Sequence, residues 1–181
     1  MERNLTLVAL FAALIAALGL IPQLTLAFGV PVTAQRLGVM LCGAVLGARR
    51  GALAVLLFVL LVALGLPLLA GGRGGLGVFA SPTAGFVVGF PFAAFITGLI
   101  VENWRQGPLA LVAGTASVIG GIVVLYAFGI SGLAWALDKS LPQAALLVTA
   151  FIPGDLIKAV LAGLITAALA RARPDSVLSR A

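Results

Sequence analysis

Asp155 and Lys158 stand three residues apart in Phe151-Ile-Pro-Gly-Asp-Leu-Ile-Lys158, at the head of an apolar run that reaches Ala170. On a helix that spacing puts both side chains on one face, within reach of each other. Pro153 suits a first helical position, and an acid in the first turn is favoured by the helix dipole. Ionisable groups in such a run are costly to bury, so they pair and mark a substrate or ion path. The competing reading is an ion pair that only fixes helix packing. Thr33, Gln35, Ser81, Thr83 and Thr149 lie at segment ends, and each alone is ordinary. With Asp155 and Lys158 they supply convergent donors and acceptors around an apolar space, a mixture that suits a small, partly apolar acid. Arg73, inside Gly72-Arg-Gly-Gly-Leu-Gly77, adds a guanidinium that can meet a carboxylate.

The elements that position these residues are membrane helices. The chain has 181 residues, 62% of them hydrophobic and 9% charged. Mean hydropathy is +1.26, and several stretches approach the roughly 20 residues needed to cross a bilayer. These values exclude a soluble enzyme and predict an all-α integral membrane protein, with residues 1–181 as a single domain. The net charge of +6 is scattered over segment ends, which membrane topology explains without nucleic acid as a partner. With no histidine and one cysteine, the ligand set for zinc, haem or an iron–sulfur cluster is missing, and no cofactor is expected. The glycine-rich stretch fits G-x-G-x-x-G but follows a membrane helix instead of a strand, so it reads as a loop that lets backbone approach a ligand. A plain flexible loop is the alternative. The chain contains no G-x-x-x-x-G-K-[ST], so ATP-driven transport requires other subunits.

The apolar pattern predicts six transmembrane segments: about Leu5–Phe28 with Pro22 interrupting it, Leu37–Ala48, Gly51–Ala70, Ala84–Val101, Pro108–Phe128, and a last one starting near Gln143 or Pro153 and ending at Arg171. The second is too short to span alone and must tilt, extend or be surrounded by protein. A longer connection holding Trp135, Asp138, Lys139 and Pro142 is expected before the last. The N-terminal run is long for a signal peptide and lacks a small-residue cleavage site, so it reads as a retained helix. Arg3, Arg49, Arg50, Arg105, Arg171, Arg173 and Arg180 fall on the side of the termini, against Arg36, Arg73, Lys139 and Lys158 on the other. The positive-inside rule then places both termini in the cytoplasm and the site just below the outer surface. No internal repeat and no matched pair of interrupted helices stands out, which weakens an inverted-repeat carrier. Small residues recur four apart at Ala9, Ala13 and Ala17, at Gly43, Gly47 and Gly51, and at Gly85 and Gly89. Such stripes allow close helix approach in lipid, and the first suits an external partner.

Four stretches carry a resemblance: Gly29-Val-Pro-Val-Thr-Ala-Gln35 with Leu37-Gly-Val39; Gly65-Leu-Pro67 with Ala70-Gly-Gly-Arg-Gly-Gly75; Ser81-Pro-Thr-Ala-Gly85 with Gly89-Phe90; and Ile152-Pro-Gly-Asp-Leu-Ile-Lys158. In order and in combination they resemble the BioY family, the biotin-specific S components of energy-coupling-factor (ECF) vitamin transporters. The resemblance implies a six-helix S-component fold, biotin as the transported substrate, and a multi-pass place in a bacterial or archaeal plasma membrane. It also implies partners, namely a transmembrane coupling subunit and two ATPase subunits, with Ala9, Ala13 and Ala17 on the coupling face. The family's Asp-x-x-Lys falls on Asp155 and Lys158. Two departures are visible: Ser81 stands where Gly commonly precedes Pro-Thr, and Arg36 stands where a smaller residue is expected. On this reading Asp155 accepts from a ureido N–H, Lys158 pairs with Asp155 and donates to the ureido or to the valerate carboxylate, Arg73 is the other candidate partner of that carboxylate, and Thr33, Gln35, Ser81 and Thr83 complete the pocket. The alternatives are an S component for another vitamin, a stand-alone proton-coupled carrier that uses Asp155, and an intramembrane enzyme. The last lacks any nucleophile–base constellation in the sequence.

Overall fold

The structure, a computed structural model, describes residues 2–25 and 31–180. The end of the expected first segment and the start of the first loop therefore lie outside the described residues. Eight α-helices follow one another: α1 (Glu2–Leu18), α2 (Gln35–Leu46), α3 (Ala48–Ala63), α4 (Ala84–Asn103), α5 (Leu109–Val118), α6 (Leu125–Ala136), α7 (Leu141–Val148) and α8 (Ile152–Ala172). A π-helical segment, Ile119–Val124, joins α5 to α6, and a 3₁₀ turn, Thr149–Phe151, joins α7 to α8. The result is six rods, three of them long and apolar enough to cross a membrane: Ala84–Asn103, Leu109–Ala136 and Leu141–Ala172. After α1 the described chain forms a small antiparallel ribbon, β1 (Leu24–Thr25) with β2 (Pro31–Val32).

The second rod resolves the length problem posed by its sequence. At 12 residues α2 is about 18 Å long, well short of a bilayer's hydrocarbon core. Apart from the half-buried Leu37 every residue of α2 is buried, Cys42 fully so, among α1, α3, α4 and α8. A helix sheathed by protein has no span requirement, because its ends meet other chain segments instead of lipid. Its last turn stops at Gly47, whose φ of 86° lies in the left-handed region. The chain then enters α3 at once, so Arg49 and Arg50 begin α3 and do not end α2. Glu102 offsets that cationic first turn, its Oε1 accepting from the Ala48 N–H at 2.9 Å.

Several expected boundaries move. The first segment's helix ends at Leu18, ahead of Pro22, and Leu24–Thr25 belong to β1 instead of continuing it. The third segment ends at Ala63, not Ala70, because Gly65 at φ 103° and Pro67 close the helix and start a loop. The fifth rod continues through the π segment to Ala136, and the sixth begins at Leu141. The long connection therefore shrinks to Leu137–Ser140, where a Ser140/Gln143 capping box with Pro142 starts α7.

Small residues set the closest crossings. A Cβ on Gly98 would stand 2.6 Å from the Ala48 Cα, and one on Gly132 2.6 Å from the Gly85 Cα. These glycines let α4 lie against the α2–α3 corner and against α6. Phe58, Phe151, Met40, Leu125 and Leu133 fill the core between them. Beyond α8 the chain folds back under the bundle. Val177 and Ser179 are buried there, and the Ser179 hydroxyl donates to the Ala44 carbonyl at 2.5 Å.

Candidate ligand-binding site

Asp155 sits in the first turn of α8 with none of its surface exposed. A carboxylate stripped of water needs several donors, and three reach it. Lys158 Nζ donates to Oδ1 at 2.7 Å, Tyr126 Oη to Oδ2 at 2.8 Å, and Arg36 Nη1 to Oδ2 at 2.5 Å. The sequence spacing anticipates only the first of these. Arg36 comes from the first turn of α2 and Tyr126 from α6, two residues past the π segment. Tyr126 is the single tyrosine of the chain and interrupts an apolar stretch, the one signal that could have marked it.

The arrangement is charged and aromatic together. The Arg36 Cζ lies 4.5 Å from the ring centroid of Phe86 and 4.5 Å from that of Phe151, with Tyr126 at 5.9 Å. Phe86 and Phe151 meet edge to face, 5.9 Å apart at 75°, and form a notch that holds the guanidinium. Two cations share one anion here, so the buried cluster carries a net positive charge that favours an acidic ligand.

The second cluster comes from the glycine-rich loop and the start of α4. Arg73 Nη1 donates to Thr83 Oγ1 at 3.3 Å, and Ser81 and Thr83 hydroxyls share a 2.8 Å hydrogen bond. Partial burial pulls the Arg73 pKa down from the ordinary arginine value. Among the described residues no carboxylate pairs with Arg73. Thr33, Gln35, Arg36, Arg73, Thr83 and Phe86 all line one pocket, with Ser81 just behind Thr83. Asp155 adjoins this pocket through its contact to Arg36, and Lys158 stands behind it, paired with Asp155. On the same side of the bundle β2 reaches α8, since a Cβ on Gly154 would lie 3.9 Å from Val32 Cγ1.

Gln35 has a different task from the others. Its amide donates to the Ile15 and Leu68 carbonyls at 3.1 and 2.9 Å, and its oxygen accepts from the Ala70 N–H at 2.9 Å. Both its N–H groups are thus spent on backbone, so Gln35 braces the loop that carries Arg73 against α1 and α2. Thr149 does not join the site. It is exposed and returns its hydroxyl to the Leu146 carbonyl at 2.6 Å, the local bond that threonine makes in helices. Ala9, Ala13 and Ala17 all face outward from α1, beside a shallow hollow lined by Leu10, Phe11 and Leu14.

Comparison with known proteins identifies the family. The family model described as the BioY family matches residues 2–175. The biotin transporter BioY of Rhodobacter capsulatus is 55% identical over 190 aligned positions, covering 99% of this chain and 100% of that one. The biotin transporter BioY of Rhizobium etli is 58% identical, with 90% of each chain covered. Among solved structures, the S-component for biotin from an ECF-type ABC transporter superposes with a TM-score of 0.89 at 29% identity, covering 94% of this chain and 92% of that one. A match over nearly the whole chain, with the six rods superposing on a solved S-component, places this protein in the BioY family.

Proposed function

We propose that this chain is the biotin-capturing S component of an ECF-type, ATP-driven vitamin importer. The observation that carries the reading is the buried Asp155, held by Lys158, Tyr126 and Arg36, with Arg36 itself lining a pocket whose other wall is Arg73 with Thr83. Biotin has a ureido ring at one end and a carboxylate at the other, joined by an apolar stretch. Asp155 accepts from the ureido N–H groups, Lys158 stays paired beside it, and Arg73 meets the carboxylate. Phe86, Val87 and Phe90 supply the apolar wall between. The relatives named as biotin transporters and the solved biotin S-component support the choice of substrate.

The chain sits in the plasma membrane with both termini cytoplasmic, a direction supported by seven basic residues on the terminal side against four on the other. The pocket then opens outward, and capture needs no nucleotide. The chain has no P-loop, so pumping falls to two ATPase subunits acting through a coupling subunit. Exposed Ala9, Ala13 and Ala17 offer that subunit a face of small residues. Native mass spectrometry of the purified protein tests the substrate: a bound species of biotin's mass is expected. Binding of thiamine or riboflavin in preference to biotin would reject it.

One observation favours a second reading. A fully buried carboxylate, Asp155, is the kind of group a proton-coupled carrier uses. That reading requires the chain alone to concentrate biotin along a pH gradient.

A further inference from the structure

The slot assigned above to the ureido ring is already filled. We propose that the Arg36 guanidinium is an internal plug, occupying the place of a ligand's ureido group on Asp155 and leaving it before the ligand binds. The proposal rests on the biotin reading. Three observations carry it. The first is chemical: guanidinium and ureido groups are both small, planar and edged with N–H donors. Arg36 sets one N–H of such an edge, that of Nη1, on Asp155 Oδ2 at 2.5 Å, with its central carbon 4.5 Å from the Phe86 and Phe151 ring centroids. The second is saturation of Oδ2. An ionised carboxylate offers about four lone-pair positions, two on each oxygen; Arg36 and Tyr126 use both on Oδ2, and Lys158 uses one on Oδ1. The third is space. The free volume between Arg36 and the Arg73–Thr83 wall is about 30 Å³, room for a water or two, whereas ligand pockets hold about 300–1,000 Å³.

Arg36 is the group able to leave. Phe151 and Phe86 are locked in the core, and Tyr126 and Lys158 are needed to keep Asp155 satisfied. Arg36 springs from the first turn of α2, beside Thr33 at the pocket wall, and its flexible stem can carry the guanidinium outward. Apparent affinity then equals the intrinsic affinity scaled by the fraction of molecules in which the slot stands open.

Arg36→Thr removes the plug while Lys158 and Tyr126 still hold Asp155. By calorimetric titration in detergent, the apparent Kd for biotin should fall at least about tenfold. Arg36→Lys keeps a cation but loses the planar fork, and it too should tighten binding; it replaces the Thr variant if that protein does not fold. A folded variant that binds biotin no better than the parent overturns the plug. If neither parent nor variant binds biotin, the substrate reading fails and the plug is decided separately by thermal stability. In that case 2-imidazolidinone and methylguanidinium, each a planar N–H edge without a chain, should raise the melting temperature of Arg36→Thr and leave the parent unmoved. Absence of any such stabilisation in the variant then overturns it.

Discussion

Asp155 accepts three hydrogen bonds with no surface open to water, so removing different partners leaves different faults. Asp155→Asn strips the anion from between Arg36 and Lys158 and leaves both cations uncompensated. Breaking a buried pair on one side costs about 3–5 kcal/mol. The melting temperature in detergent should drop sharply and biotin binding should be lost. Unchanged affinity in a folded Asp155→Asn protein rejects the site. Tyr126→Phe removes one donor to the carboxylate and leaves both cations in place, for a loss of about 1.5–3 kcal/mol. A smaller melting shift with weakened but measurable binding is expected. Asp155 and Lys158 were legible in the sequence because three residues on one helix is a local relation. The Arg36 and Tyr126 contacts were not, since they join residues 119 and 29 positions apart through the bundle. No periodicity carries that information. Arg36 was visible only as an oddity of size.

At the scale of elements, the helices were legible wherever apolar runs were long and ended by charge. Misplaced boundaries arose where glycine backbone conformation decides the end. Gly47 turns α2 into α3 within one residue, and Gly65 ends α3 early, yet neither looks different from the glycines inside helices. The end of the fifth rod at Ala136 and the start of the sixth at Leu141 were hidden by the polar stretch Asp138–Ser140, whose Ser140 proved to cap α7 with Gln143. Two predictions belong here. Gly98→Val forces a branched side chain against the Ala48 backbone and should cost about 1–3 kcal/mol or more, read as a lower unfolding midpoint. Ala13→Trp lies on the outer face of α1 and meets no internal partner. Its stability should stay within about 0.5 kcal/mol of the parent and biotin binding should persist, while co-purification with a coupling subunit should fail. Loss of binding with intact assembly would move the alanine stripe into the bundle.

For the whole molecule, the class of fold followed from hydropathy, whereas the sheathing of a 12-residue helix by its neighbours could be seen only in three dimensions. Capture and pumping are separable on this architecture. Proteoliposomes holding the chain alone should bind radiolabelled biotin but not concentrate it, even under an imposed pH gradient, and accumulation should appear when coupling and ATPase subunits are added with ATP. Concentration by the chain alone would decide for the carrier. The burial of Cys42 at the centre of α2 also has a practical side. It is the native thiol of the sequence, and a thiol sealed from solvent does not meet a maleimide. A cysteine introduced at exposed Leu76 in the glycine-rich loop, or at Ala13, therefore becomes the one labelled position without any change to the natural background. Fluorophores placed there can follow loop closure by distance, and the slow labelling of Cys42 itself becomes a clock for opening of the bundle.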